Sequence, residues 1–169
     1  MVEFDLFQLK TFFVDLLTNR VLLCAALSWF MAQFLKIFTS PRHREEISFL
    51  RFVLGSGGMP SSHSAVVTAT CISCGILYGF DAPIFAVSAV LAIVVMRDAA
   101  GVRLESGKQA AVINQMSREM NKKKRIINAE VLQELLGHTP LQVLFGALLG
   151  CAMAFFCQCF FFRVIFPAF

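Results

Sequence analysis

Charged side chains are scarce in this sequence, since Asp, Glu, Lys and Arg make up 15% of its 169 residues. Soluble domains carry about 25%. The sequence also holds one Tyr and one Trp beside nineteen Phe, and 57% of its residues are hydrophobic. So few polar side chains cannot cover a water-exposed surface of ordinary composition. The composition therefore argues against a soluble enzyme and indicates a single membrane-embedded domain over residues 1–169.

Signals for secretion and for metal binding are also missing. The N-terminus opens with Glu3 and Asp5 rather than the positive start of a cleavable signal peptide, so none is expected. All six cysteines lie in apolar stretches without histidine or carboxylate at metal-ligand spacing. Cys71 and Cys74 have CxxC spacing, but their apolar setting favours small membrane residues over a redox pair. We expect neither a metal nor a cofactor.

Long apolar stretches predict an all-α, integral-membrane helical bundle with four to five membrane helices. A spanning helix needs about 20 mostly apolar residues. Residues 4–17 are interrupted by Lys10 and Asp15, which favours an interfacial helix over a full span. The second and third spans are short, and a homodimer is one arrangement that would cover their ends. The four predicted spans are 21–38, 64–80, 82–96 and 141–166.

Basic residues concentrate in two loops on one predicted side of the membrane. The 39–59 loop contains Arg42, Arg44 and Arg51, and the 97–140 segment contains eight Lys or Arg. The positive-inside rule places both in the cytoplasm and the short turn at Asp81 outside. Helical spacing of apolar residues predicts two cytoplasmic helices within 97–140. The basic run at 122–125 between them is expected to meet anionic lipid headgroups, and no nucleic-acid partner is expected.

The first polar cluster, Gly57-Gly58-Met59-Pro60-Ser61-Ser62-His63-Ser64, stands at the start of the second span. Glycines allow a backbone to approach a ligand, hydroxyls donate hydrogen bonds, and free amides at a helix start favour phosphate. A serine-capped helix after a Gly-Pro turn would explain part of this pattern, but it does not require His63.

Two further clusters follow the third span and precede the fourth, on the same predicted face. The second is Arg97-Asp98-Ala99-Ala100-Gly101-Val102-Arg103 with Gly107-Lys108-Gln109, and the third is Gly137-His138-Thr139-Pro140-Leu141-Gln142. Arginine binds phosphate bidentately, whereas anchoring at the membrane surface alone would explain Arg97. Two histidines beside several cations predict phosphoryl transfer without a metal: one imidazole attacks phosphorus and the other protonates the leaving alkoxide.

These clusters resemble the type-2 phosphatidic acid phosphatase and vanadium haloperoxidase superfamily. Pro60-Ser61-Ser62-His63 is similar to its Pro-Ser-Gly-His motif, and Gly137-His138-Thr139-Pro140 with Gln142 and Gly146 is similar to its last motif. The order GGMPSSHSA, RDAAGVR with GKQA, then LGHTP resembles the divergent branch of small membrane proteins. The resemblance covers about 36–150.

The resemblance implies that His138 is the nucleophile and His63 the general acid. It also implies phosphate binding by Ser61, the amides of Gly57 and Gly58, Arg103 and Lys36. Ser62 and Lys108 are two further candidates for phosphate binding. This sequence departs from the superfamily pattern in having Ser62 for the motif glycine and Gln142 for an aspartate. The Gln142 amide can orient the ring but cannot stabilise an imidazolium as a carboxylate does, so Asp98 is a candidate substitute acid.

The expected function is removal of a terminal phosphate from a lipid headgroup at the cytoplasmic membrane face. That face suits a biosynthetic intermediate such as phosphatidylglycerophosphate, slightly preferred, or phosphatidic acid, over an outward-facing prenyl pyrophosphate. The alternative is a non-catalytic membrane protein that keeps the pocket to bind a lipid phosphate or to scaffold a partner. A vanadate-dependent haloperoxidase is disfavoured, because the resemblance implies soluble proteins for that activity.

Overall fold

Every regular element in the described part of the chain is helical, as the composition predicts. The computed structural model describes residues 6–39, 58–122 and 137–165. Three helices are long and apolar enough to cross a membrane, and Ser62–Tyr78 is a shorter apolar helix. The elements are α1 (Leu6–Thr18), α2 (Arg20–Thr39), α3 (Ser62–Tyr78), α4 (Pro83–Ala100), α5 (Val102–Lys122), α6 (Pro140–Phe156), a π-helical turn (Cys157–Phe161) and α7 (Phe162–Ile165).

The short helix α3 occupies the centre of the bundle. It packs against α2, α4 and α6, and more than half of its seventeen residues are buried. Lipid cannot satisfy loose backbone groups at the ends of a short helix, so a short helix needs protein around it. Its neighbours within one chain provide that cover. The homodimer stays a prediction.

A tight turn joins α3 to α4, as the sequence predicts for the segment around Asp81. Gly79 adopts a φ of 99° at the end of α3, a conformation that favours glycine. Its N–H donates to the carbonyl of Gly75 at 3.0 Å, and the N–H of Ala82 donates to the carbonyl of Gly79 at 3.2 Å. The two helices therefore form the expected hairpin.

Two predicted boundaries differ from the structure. The third span was expected to end at Met96, where hydrophobicity ends, but α4 continues through Arg97 to Ala100 and stops at Gly101. The N–H of Gly101 closes the last turn by donating to the carbonyl of Arg97, and the helix ends there because Gly101 itself leaves helical geometry, with φ −110° and ψ −82°. The fourth predicted span contains α6, the π-helical turn and α7 rather than one regular helix.

Two glycines in α6 allow it to approach α3 closely. A methyl group at Gly146 would overlap the carbonyl oxygen of Ser61 and lie 2.9 Å from Cβ of Ser64. One at Gly150 would overlap the carbonyl of Ala65. Small residues four apart are a common basis for close helix contact in membranes. The two helices run in parallel, so their N-termini lie at the same end of the bundle.

The other sequence predictions fall partly outside the described residues. Helix α1 lies within the segment predicted as an interfacial helix, and its side chains from Gln8 to Thr18 are exposed; its place at the membrane interface stays a prediction. Helix α5 confirms the first predicted helix of the 97–140 segment. All six cysteines are free thiols, and Cys71 and Cys74 are buried. The second helix of that segment, most of the 39–59 loop, the basic run beyond Lys122 and Gly57 lie outside the described residues.

Candidate phosphoryl-transfer site

The two histidines lie at the same end of the bundle. Their ring centroids are 6.1 Å apart, although 75 residues separate them in the sequence. His63 is exposed in the first turn of α3, and His138 is 4% exposed just before α6. One phosphorus-centred group could therefore contact both rings.

Lys36 is buried beside the histidine pair. It is 2% exposed, and its Nζ donates a hydrogen bond of 3.1 Å to Oγ of Ser62, the first residue of α3. No carboxylate pairs with this ammonium group within the described parts of the chain. Burying a charge without a counter-ion is costly, so an anionic ligand would stabilise this arrangement.

The N-termini of α3 and α6 meet at this site. Ser61 caps α3: its Oγ accepts hydrogen bonds from the backbone N–H and the hydroxyl of Ser64, at 3.4 and 3.1 Å. Its own N–H donates to the carbonyl of Gln142 at 3.0 Å, which ties the two helix starts together. Gly58 precedes this segment with a φ of 85°. Free amides and two positive helix ends thus favour an anion here.

Gln142 determines which nitrogen of His138 is available. Thr139 and Gln142 form a capping box in which Oε1 of Gln142 accepts the backbone N–H of Thr139 at 3.1 Å. The same oxygen lies 3.2 Å from Nδ1 of His138. Because this oxygen can only accept, Nδ1 carries the proton in the neutral ring. Nε2 then keeps its lone pair and can act as a nucleophile.

The backbone of His138 is held by a different helix. Its N–H donates to the carbonyl of Ala99 at 3.0 Å, near the end of α4. The third cluster is therefore joined to the second through the backbone and to the first through Ser61 and Gln142. The three polar clusters of the sequence converge at one end of the bundle.

Arg103 and Asp98 form an ion pair at the rim of the site. Nε of Arg103 donates to a carboxylate oxygen of Asp98 at 2.7 Å, and both side chains are exposed. This contact leaves the two terminal nitrogens of the guanidinium free of Asp98. His138 makes its described side-chain hydrogen bond with Gln142 and not with Asp98, so a catalytic role for Asp98 stays a prediction.

Lys108 lies on α5, five residues after Arg103. Its Nζ donates to the Glu105 carboxylate at 2.7 Å, and both side chains are largely exposed. The structure brings together seven of the predicted residues: Lys36, Ser61, Ser62, His63, Arg103, His138 and Gln142. Phosphate binding by Lys108 stays a prediction. In the described ranges, no three His, Cys, Asp or Glu side chains are grouped as metal ligands.

The surroundings of His138 favour its neutral form. Burial lowers the pKa of His138 below its usual value, and the positive groups Lys36, His63 and Arg103 lower this pKa further. The hydrogen bond with Gln142 opposes these effects by raising it. A neutral imidazole is the form that attacks phosphorus.

Two features of the site were not predicted from the sequence. They are the capping box at the start of α6 and the close contact of α6 with α3 at two glycines. Thr139 and Gln142 carry the spacing of a capping box, S/T-x-x-E/Q, which the sequence displays before an apolar run. Gly146 and Gly150 show the four-residue spacing of close helix contacts. Both signals were therefore present in the sequence.

Comparison with known proteins agrees with this geometry. A family model described as the divergent PAP2 family matches residues 17–153, which include every described element of the site. The chain belongs to the divergent PAP2 family. This membership agrees with the resemblance of its motifs, and it makes the protein a phosphatase-related membrane protein.

Another member of the divergent PAP2 family is similar over most of its length. The chain is 40% identical over 147 residues to a protein of Bacillus subtilis (strain 168) described as the uncharacterized membrane protein YuiD. The alignment covers 81% of this chain and 92% of YuiD. No solved structure matches the chain. Together with the three long apolar helices, this relative identifies an integral membrane protein.

Proposed function

We propose that this protein is a membrane phosphatase that removes a terminal phosphate from a lipid headgroup through a phosphohistidine on His138. The observation that carries the proposal is the buried Lys36, which lies beside two histidines and lacks a carboxylate partner in the described residues. Arg103 at the rim would add a second cation. A phosphate monoester supplies the negative charge that these groups need.

The chemistry assigns one role to each histidine. Nε2 of His138 attacks phosphorus, and the bond between phosphorus and the lipid oxygen breaks as His63 gives its proton to that oxygen. Water then attacks the phosphohistidine, His63 takes a proton from it, and the N–P bond breaks to release phosphate. The phosphate oxygens are held by Lys36, Ser62, Arg103 and the amides at the start of α3.

The substrate is expected to be a lipid because the histidines lie at the end of membrane helices. Arg97 and Arg103 lie towards the same end, and the positive-inside rule assigns that end to the cytoplasm. A lipid made in the cytoplasmic leaflet fits this assignment. We therefore slightly prefer phosphatidylglycerophosphate over phosphatidic acid and prenyl (pyro)phosphates.

The first test is phosphate release by the purified, detergent-solubilised protein from these three lipid classes, with and without EDTA. We expect release that EDTA does not inhibit, because the proposed chemistry uses imidazoles and cationic side chains instead of a metal. Phosphatidylglycerophosphate should give the highest kcat/KM. Arg103→Gln should raise KM. Arg97→Gln is the control, because it removes the same charge from the preceding helix, α4.

A second candidate function rests on Gln142. A neutral amide stabilises a charged imidazole less than a carboxylate does, so the pocket could bind a lipid phosphate without cleaving it. Saturable binding of these lipids with no phosphate release from any of them would favour this function. Release that EDTA abolishes would contradict the metal-free mechanism.

The pH dependence of catalysis tests the role of Gln142. In Gln142→Glu, a carboxylate beside Nδ1 would favour the charged imidazole and raise the pKa of His138. Since the nucleophile must be neutral, we expect the acid limb of the profile of kcat/KM against pH to move to higher pH. Profiles of both proteins are measured with the same lipid, so the titration of the substrate is common to both.

The matched control for this experiment is Gln109→Glu. Gln109 is exposed on α5 and would receive the same added charge away from His138. An acid limb that stays in place in Gln142→Glu, or that moves equally in Gln109→Glu, would contradict the assignment of Gln142 as the partner of the nucleophile.

A further inference from the structure

A second polar region lies at the end of the bundle opposite the histidines. Arg20 starts α2 and Lys36 lies sixteen residues later, which places them about 24 Å apart along the helix. Tyr78 ends α3, whereas His63 lies in its first turn. Because α2 is long and apolar enough to cross a membrane, this region lies towards the other membrane face.

This region contains a cavity of about 590 Å³ between the α1–α2 junction and the end of α3. Its walls combine an acid, a base, three neutral polar side chains and two aliphatic side chains. The lining residues are Val14, Asp15, Thr18, Asn19, Arg20, Leu77 and Tyr78.

Several contacts hold the polar wall in place. Oδ1 of Asn19 accepts the backbone N–H groups of Val21 and Leu22 at 3.0 and 3.1 Å and so caps α2. The Arg20 guanidinium lies 5.7 Å from the centre of the Phe162 ring. Nε2 of Gln158, a buried residue of the π-helical turn, donates to the carbonyl of Arg20 at 3.2 Å. The cavity wall is therefore connected to the core of the bundle.

Helix α1 lines the cavity but packs little against the bundle. It contacts α2, and its apolar side chains, including Phe12, Phe13 and Leu17, are exposed. Such a helix is stable at the membrane interface, where lipid covers its apolar surface. A space of this size beside it is open to lipid headgroups and their glycerol region.

The charges on the wall indicate the chemistry of the occupant. An arginine binds the phosphate of a lipid in a bidentate manner. Asp15 makes no ion pair in the described residues, and its carboxylate would bind an ammonium group. An anionic headgroup would place its negative charge near Asp15 without compensation.

We propose that this cavity binds a zwitterionic, amine-bearing phospholipid of the leaflet opposite the histidines. The phosphate lies at Arg20 and the amine at Asp15, and the acyl chains extend along Val14 and Leu77. The bound lipid fills the space between α1 and α3 and joins the interfacial helix to the bundle. The site is independent of the proposed phosphatase activity.

Thermal unfolding of the delipidated full chain in detergent tests this proposal. Phosphatidylethanolamine and phosphatidylglycerol are added separately as mixed micelles, because a ligand that binds the folded state raises Tm. We expect phosphatidylethanolamine to raise Tm by about 2–4 °C more than phosphatidylglycerol does. Asp15→Asn should lose this difference, whereas Asp15→Glu should keep it.

Two controls separate this cavity from other sites. Lys10→Gln removes a charge from the same helix outside the cavity wall and should keep the difference. His138→Ala should also keep it, because that histidine lies at the other end of the bundle. Equal Tm shifts for both lipids, or a preference that survives in Asp15→Asn, would overturn the proposal. A preference lost in His138→Ala would instead place the lipid at the histidines and overturn it too.

Discussion

Replacing His138 with alanine is expected to lower the rate of phosphate release at least about 1,000-fold, because the proposed phosphoenzyme forms on this imidazole. His63→Ala should lower kcat by about 100- to 10,000-fold through loss of the proton donor. Lys36, Ser62 and Arg103 remain in both variants. Binding of inorganic phosphate, measured by calorimetry, should therefore change far less than kcat.

His43→Ala is the matched control for these variants, because this third histidine belongs to none of the three polar clusters. It should leave phosphate release unchanged. Release by His138→Ala within about tenfold of the unmodified protein would contradict the phosphohistidine mechanism, since loss of a nucleophile costs far more. Protein labelled from a radioactive lipid phosphate and quenched in alkaline detergent, where phosphohistidine is stable, should carry label on histidine only when His138 is present.

Introducing a side chain at the contact between α3 and α6 is expected to destabilise the protein and separate the histidines. A methyl group at Gly146 meets the backbone of Ser61, and one at Gly150 lies 3.0 Å from both the backbone nitrogen of Ala69 and Cβ of Thr68. Backbone cannot yield as a flexible side chain does. Each glycine-to-alanine change should therefore lower the free energy of unfolding by about 1–3 kcal/mol.

The Gly146 variant should also lose more activity than its stability loss explains. Ser61 and Gln142 are hydrogen-bonded across this contact, so any shift of α6 moves His138 away from His63. Activity is measured well below the unfolding temperature of each variant, which thermal scans in detergent provide. Leu148→Phe enlarges an exposed residue on the same helix and should change neither quantity. Unaltered unfolding in both glycine variants would show that the contact is looser than described.

Much of the site could be predicted from local sequence because its residue types occur in compact motifs. His63 and His138 each lie beside glycine, serine, threonine or proline at the edge of an apolar run. The hairpin at Asp81 follows from two apolar runs with almost no residues between them. The end of α4 was misplaced because hydrophobicity stops at Met96, whereas the hydrogen bonds continue to Gly101.

Other features required the packed chain. Asp98 was a candidate partner of His138, but the fold places its carboxylate on Arg103 and the Gln142 amide on His138. Lys108 has the charge of a phosphate ligand, yet α5 directs it to Glu105. The partners of a long charged side chain depend on which helix faces it, and a motif does not contain that information.

The sequence by itself determined the membrane class, the helical architecture and the chemistry available, because hydrophobic run length and residue type are local properties. Only the tertiary structure decided that Lys36 is buried against Ser62, that Ala99 and Ser61 anchor the loop of His138, and that a polar cavity opens at the opposite end. These features join segments separated by 26 or more residues, such as Lys36 and Ser62. The loop of His138 reaches Ser61 because two glycines allow α3 and α6 to pack closely, in parallel and with both N-termini at one end.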